Sequence, residues 1–199
     1  MVAGDLPHRF RFPAATLRGL IDRTKFAISN EETRYYLNGI YLHVAEGGTF
    51  PMLRAVATDG HRLARVETEL PEGARGMPGV IIPRKTVAEL RKLLDEGAAD
   101  IEVSLSDTRI QFQAGPVLLT SKLIDGTFPE YERVIPKGTD RILRTTTKDF
   151  AAAVGRVAAI SQERPRPAKL PAPTNILTLL APIPYQGAAQ EELDSPPGP

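Results

Sequence analysis

A short run of alternating apolar residues that leads straight into an amphipathic helix occurs three times in this chain. That repeat restricts the fold more than any other feature. The first copy is Phe10-Arg11-Phe12-Pro13 followed by ATLRGLIDRTKFAIS, in which Leu17, Leu20 and Ile21 recur at helical spacing. The second is Val80-Ile81-Ile82-Pro83 followed by RKTVAELRKLLDEG, with Val87, Leu90, Leu93 and Leu94 on one face and Gly97 placed as a C-terminal stop. The third is Ile142-Leu143-Arg144-Thr145 followed by TKDFAAAVGRVAAIS, with Phe150, Val154 and Val157 apolar. The starts lie about 60 to 70 residues apart, the size of a half-domain unit.

Between the helices the period falls to two. Ile40, Leu42 and Val44 alternate with other residues before the Gly47-Gly48 break; Leu53, Ala55 and Ala57 follow, and Thr58-Asp59-Gly60 turns the chain into Leu63 to Val66. The later half repeats this with Ile101, Val103 and Leu105, a Ser106-Asp107 turn, Ile110 and Phe112, then Gly115-Pro116 before Val117-Leu118-Leu119. Each unit therefore reads as a strand, a helix and a meander of strands. The fold class is α+β, with antiparallel sheets carrying helices on one face and the strand-helix-strands unit repeated.

Prolines mark where this pattern changes: nine of the eighteen fall before residue 165 and nine lie from Pro165 onward. Pro165, Pro167, Pro171, Pro173, Pro182 and Pro184 remove donors from any central strand, so the tail is expected to lack regular order or to stay at sheet edges. There is no cysteine, and the three histidines, His8, His43 and His61, are scattered, so neither a metal centre nor a bound cofactor is read. No cationic leader precedes an apolar stretch and no run is long enough to span a membrane, so a cytoplasmic protein is expected.

Twenty-five Lys and Arg oppose twenty-four Asp and Glu, so any attraction to nucleic acid must come from local segregation of charge. The first helix carries Arg18, Asp22 and Lys25 on a stripe opposite its apolar face, with Arg23 close by. The second crowds Arg84, Lys85, Arg91 and Lys92 on its polar side, and the third has Lys148 and Arg156. Three mainly basic helices fit a surface set aside for a polyanion; they equally fit ordinary solvent-facing helices.

The segments TRYYLNGIYLHV (33 to 44), AVATDGHRLARVE (55 to 67), VIIPRKTVAELRKLL (80 to 94) and LLTSKLIDGTFPEYERVIP (118 to 136) stand in an order and spacing that resembles the bacterial sliding clamp, the beta subunit of DNA polymerase III. The resemblance covers roughly residues 9 to 162, with a fainter echo to Asp194. It implies a DNA-clamp fold: residues 1–8 as an N-terminal extension, 9–137 as a complete middle domain of two repeats (9–70 and 79–137), 138–194 as an incomplete, proline-rich C-terminal domain, and 195–199 as a disordered tail. The family's first domain and C-terminal end have no counterpart, so ring closure by this chain alone is not expected.

What the resemblance implies about function is a non-catalytic processivity factor of DNA replication that encircles duplex DNA without reading sequence. Its partners would be double-stranded DNA, together with the clamp loader, the replicative polymerase and repair polymerases, which dock through short linear motifs; the family closes as a homodimeric ring. Carried over by matching motif, the DNA-facing candidates are Tyr35, Tyr36 and Lys85, with Arg84, Arg18 and Lys25 after them. Tyr35 and Tyr36 equally suit a half-buried strand end.

The partner groove would use Leu37, Thr58, Gly60, His61, Arg62 and Leu63 with Pro129, Arg133 and Val134. Leu37, Leu63, Pro129 and Val134 offer apolar walls, Gly60 permits close backbone approach, and His61 and Arg62 suit peptide carbonyls and acids. Pro165 stands where the family groove has an apolar or aromatic residue, which weakens peptide binding, and GGTFP (47 to 51) lengthens a hairpin without consequence. No nucleophile elbow, phosphate loop or paired acidic metal motif accompanies Asp59 and His61 or Ser121 and Lys122, so no active site is read. The other function compatible with these residues is a clamp-derived module that binds or regulates partners without encircling DNA.

Overall fold

The computed structural model describes residues 5–95, 99–138, 144–160, 176–183 and 187–194. The chain divides into two compact units, 1–130 and 131–199.

The first unit contains the first two repeats. One runs β1 (His8–Pro13), α1 (Ala14–Thr24), β2 (Gly39–Ala45), β3 (Met52–Thr58) and β4 (Leu63–Glu69); the other runs β5 (Val80–Pro83), α2 (Arg84–Leu93), β6 (Asp100–Leu105), β7 (Arg109–Ala114) and β8 (Val117–Lys122). The repeats do not close on themselves. The sheet orders are β1-β6-β7-β8 and β4-β3-β2-β5, all pairs antiparallel, so the opening strand of each repeat joins the sheet of the other. Phe10 lies opposite Val103 and Phe12 opposite Ile101, while Ile40 lies opposite Ile82 and Leu42 opposite Val80.

The same exchange starts both helices. Pro13 and Pro83 end their strands with φ near −60° (−58° and −59°), already suited to a helix entrance, and neither supplies a side-chain cap. Instead Ala14 N–H donates to Ala99 O and Arg84 N–H donates to Asn38 O, each at 2.9 Å. Ala99 and Asn38 immediately precede β6 and β2, the strands that β1 and β5 pair with, so each helix entrance is tied to the partner repeat.

A single core joins the two halves: Phe12, Leu53, Leu90, Ile101, Leu105, Ile110 and Phe112 are all below 2% exposed. α1 ends at Thr24, five residues short of the expected Ser29. The buried Thr24 hydroxyl donates back to Leu20 O at 2.6 Å, and a 3-10 turn (Lys25–Ala27) then redirects the chain so that Ala27, Ile28 and Ser29 are buried while Phe26 is not.

Charge on the helices is arranged differently from a uniformly basic outer face. Asp22 on α1 accepts from Arg91 Nε on α2 at 2.7 Å, Arg18 reaches Asp95 at 3.2 Å, and Arg91 also pairs with Asp95. Arg91, only 17% exposed, bridges the two helices rather than facing solvent, because the helices pack side by side along that stripe. The hydrogen bond from Arg91, supported by Lys25, holds the Asp22 carboxyl down at about 2 against an ordinary 3.8. A depressed carboxylate stabilises the fold above its unfolded pKa and loses that contribution as pH falls through the native value. The Asp22 contribution is thus complete above about pH 4 and fades between there and pH 2, amounting to about 1 kcal/mol after solvent screening. Urea unfolding at pH 6 and pH 2.5 should show Asp22→Asn destabilised at the higher pH and nearly level with the parent at the lower.

The second unit holds a 3-10 turn (Tyr131–Val134), α3 (Thr147–Ile160) and an antiparallel hairpin of β9 (Ile176–Ile183) and β10 (Gly187–Asp194). Ala153 and Val157 of α3 pack with Leu177 and Leu179. The expected strand before α3 is not formed at Arg144 and Thr145; Ile142 and Leu143 lie outside the described residues, as do Gly97, Pro165, Pro167, Pro171, Pro173, Pro184 and residues 195–199. Of the tail, expected to lack regular order or to stay at sheet edges, residues 176–183 and 187–194 form this hairpin, in which both strands are edges. Pro182 is accommodated opposite Ala188 because in a two-stranded sheet both strands are edges.

Candidate functional site

The turn between β3 and β4 is built by two side chains that precede its tip. Asp59 Oδ1 accepts from the N–H groups of His61 and Arg62, each at 3.0 Å, and its Oδ2 accepts from Arg62 Nε at 3.0 Å. The Thr58 hydroxyl donates to Arg62 O at 2.8 Å and accepts from Gly60 N–H at 3.1 Å. Burial alone would raise the Asp59 carboxyl, but the hydrogen bonds from His61 and Arg62 outweigh it and hold the group below its usual range. The turn is therefore fixed by an ionised carboxylate at neutral pH. Gly60 sits at its tip with φ +89°, and a Cβ there would lie 2.5 Å from Arg34 Nη1. A side chain there would be strained by the backbone and would displace the Arg34 guanidinium.

Arg34 is held in that place by Glu31, whose two carboxylate oxygens accept from Nε at 2.8 Å and Nη2 at 2.6 Å; the pair keeps the Glu31 carboxyl below its usual range. Arg34 also opens the 3-10 turn Tyr35–Leu37. Tyr35 and Tyr36 are thus not a strand end. A tight turn points Tyr35 outward, 52% exposed, with Tyr36 half-buried and edge-on to it at 5.8 Å, while Leu37 is buried. Asn38, the next residue, receives Arg84 N–H, so the first turn of α2, with Arg84 and Lys85 exposed, is joined to the tyrosine turn.

The structure therefore joins the turn carrying Tyr35 and Tyr36 to Arg84 at the start of α2, with Lys85 next to it, and places Thr58, Gly60, His61, Arg62 and Leu63 at the β3–β4 turn, while Leu37 is buried behind the tyrosines. Arg18 and Lys25 are engaged with carboxylates of the helix pair, Arg18 with Asp22 and Asp95 and Lys25 with Asp22 at 2.7 Å. They carry less free charge than the helix stripe suggested.

Pro129 is exposed at the end of the first unit. It follows Phe128, whose ring stacks on Tyr41 of β2 at 4.8 Å with His43 stacked on Tyr41 at 4.6 Å. Arg133 and Val134 lie in the 3-10 turn of the second unit, where Val134 is 70% exposed. Sequence reasoning missed Glu31, Arg34, Phe26 and the aromatic stack. Gly60 marks the turn in the sequence, but nothing in the spacing points to these neighbours.

Among the described residues no group of side chains could hold a metal ion, and no helix is long and apolar enough to cross a membrane.

Residues 11–130 match the model of the DNA polymerase III beta subunit central domain, and residues 132–196 match that of its C-terminal domain. The chain is 47% identical over 194 residues to the beta sliding clamp of Caulobacter vibrioides, covering 98% of this chain and 52% of that protein. Against the beta sliding clamp of Pseudomonas aeruginosa it is 40% identical over 184 residues, covering 92% and 49%. Among solved structures, a Bartonella birtlesii DnaN sliding clamp bound to griselimycin superposes with TM-score 0.91 at 51% identity, covering 98% of this chain and 52% of that one. Caulobacter crescentus pol III beta gives TM-score 0.91 at 46% identity, covering 98% and 53%. The chain thus spans about half the length of the relatives it matches, and the DNA-clamp fold expected from its motifs is theirs. On its sequence and its fold, the chain belongs to the beta sliding clamp family, the beta subunits of bacterial DNA polymerase III.

Proposed function

We propose that this chain performs the clamp's work in DNA replication: sequence-independent contact with duplex DNA and tethering of polymerase and other partners through short linear motifs, without chemistry of its own. The observation that carries this reading is the segment 34–38. Arg34 rests against Gly60 of the partner-facing turn, while Asn38 receives the backbone of Arg84 at the start of the DNA-facing helix. One short stretch thus serves both surfaces. Residues 9–137 act as the middle domain and 138–194 as part of the next, and the work is done in the cytoplasm.

Tyr35, Tyr36, Lys85 and Arg84 are the DNA-facing residues, with Arg18 and Lys25 contributing less because carboxylates already neutralise them. Phosphate contacts release counterions, so each lost contact removes about 0.9 from the slope of log K against log salt. Lys85→Ala should weaken binding to a labelled 30-base-pair duplex about equally for unrelated sequences and flatten that slope by about 1, whereas Lys25→Ala should change it much less. Titrations by fluorescence anisotropy at several salt concentrations check this.

On the first unit the partner groove uses Leu37, Thr58, Gly60, His61, Arg62, Leu63 and Pro129, and it takes peptides with apolar anchors. Encirclement is tested by loading the chain on nicked circular DNA and isolating the complex by gel filtration. Retention that is lost on linearising the circle supports topological holding; rapid loss from both forms rules it out and leaves a partner-binding or regulatory module.

A further inference from the structure

The cations on the two helices of the first unit are not alike. Arg84 and Lys85, in the first turn of α2, are exposed and make no ion pair among the described residues. Farther along, the stripe where α1 meets α2 is paired throughout. Lys25 Nζ and Arg91 Nε both reach Asp22 Oδ1 at 2.7 Å, Arg18 lies 3.7 Å from Asp22 Oδ2 and 3.2 Å from Asp95, and Arg91 also pairs with Asp95. Asp22 is the one carboxylate that all three cations share. Packing of the helices is served by the Arg91 bridge. The pairs with Lys25 and Arg18 instead engage cations that are about half exposed, and such surface pairs add little to stability. What they do remove is free positive charge.

We propose that Asp22 limits the grip of the helix pair on duplex DNA, so that firm phosphate contact is confined to Arg84 and Lys85. This rests on the reading of α1 and α2 as the DNA-facing surface. A phosphate that approaches Lys25 or Arg18 must displace a carboxylate before it can pair, so one charge contact is exchanged for another. A stripe of free cations would instead catch each phosphate and release a counterion for it. Weak hold along most of the surface is what movement along a duplex requires.

The test titrates the full chain against the labelled 30-base-pair duplex at neutral pH over several salt concentrations. Asp22→Asn keeps the side-chain shape and leaves Lys25 without its carboxylate. It should tighten binding about threefold and steepen the slope of log K against log salt by about 1, the worth of one gained phosphate contact. Lys25→Ala should cancel that gain in the Asp22→Asn background, because the two act through one pair. Asp95→Asn keeps the bond between Asp22 and Arg91, so the helices stay joined, and should shift affinity in the same direction by releasing Arg18. Glu46→Gln, exposed in the β2–β3 loop, makes the same change of net charge away from the helices and should leave the slope at the parent's value. A merely structural role for Asp22 predicts the opposite sign, since a loosened helix pair binds less.

Binding that neither aspartate variant tightens, an equal rise in Glu46→Gln, or a Lys25→Ala effect of the same size in both backgrounds overturns the proposal. Lys85→Ala separates the two levels. If it weakens binding while the aspartate variants fail to tighten it, only the proposal falls; if Lys85→Ala is also without effect, the DNA-facing reading falls with it.

Discussion

Phe12→Ala should lower the unfolding free energy of the first unit by about 3–5 kcal/mol and loosen both repeats at once. Phe12 is fully buried, so its truncation loses the transfer of a whole aromatic ring from water and leaves a cavity in a close-packed core. The reach of the effect comes from topology. Phe12 belongs to the first repeat by sequence but pairs with Ile101 of β6, next to Pro13, which opens α1. The cavity therefore touches the sheet of one repeat and the helix entrance of the other. Hydrogen exchange read by mass spectrometry should show reduced protection both in α1 and in β6 to β8, with one cooperative urea transition. Loss confined to the peptides around Phe12 itself would show that the exchanged strands do not couple the halves.

The repeat was legible because its two periods are strong. Phe10 and Phe12 alternate, Leu17, Leu20 and Ile21 step at helical spacing, and a proline separates the two patterns, as it does again at Pro83. Strand exchange was not legible. Alternation says which face of β1 is buried, yet Phe12 would be equally buried against its own repeat or against Ile101, and nothing local distinguishes them.

Arg91 shows a similar limit. Read on one helix alone it belongs to the polar side with Lys92, and only the arrival of α1 with Asp22 turns it into a bridge. Part of the β3–β4 turn could be read from Thr58-Asp59-Gly60 because those residues make the turn themselves. Arg34 and Phe26 could not, since each acts across a tertiary contact, on Gly60 and on Arg62, that spacing does not encode.

Gly39→Ala should cost about 3 kcal/mol, the upper end of what overpacking exacts, although it adds a single methyl group. Gly39 stands opposite Pro83 where β2 meets β5, and a Cβ there would fall on the carbonyl oxygen of Ile82, well inside van der Waals contact, with the Ile81 side chain 3.1 Å away. The obstacle is backbone and not the end of a side chain, so relief requires the two strands to part. Parting them strains the bond from Arg84 N–H to Asn38 O at 2.9 Å, which both starts α2 and ties that helix to the tyrosine turn. The variant is therefore expected to lose more than stability. Exchange protection of the Arg84 amide should drop, and duplex DNA affinity should fall together with it even in solutions where the chain remains folded. A variant destabilised as expected but with undiminished DNA affinity would show that Arg84 and Lys85 reach phosphate without being registered to Tyr35 and Tyr36.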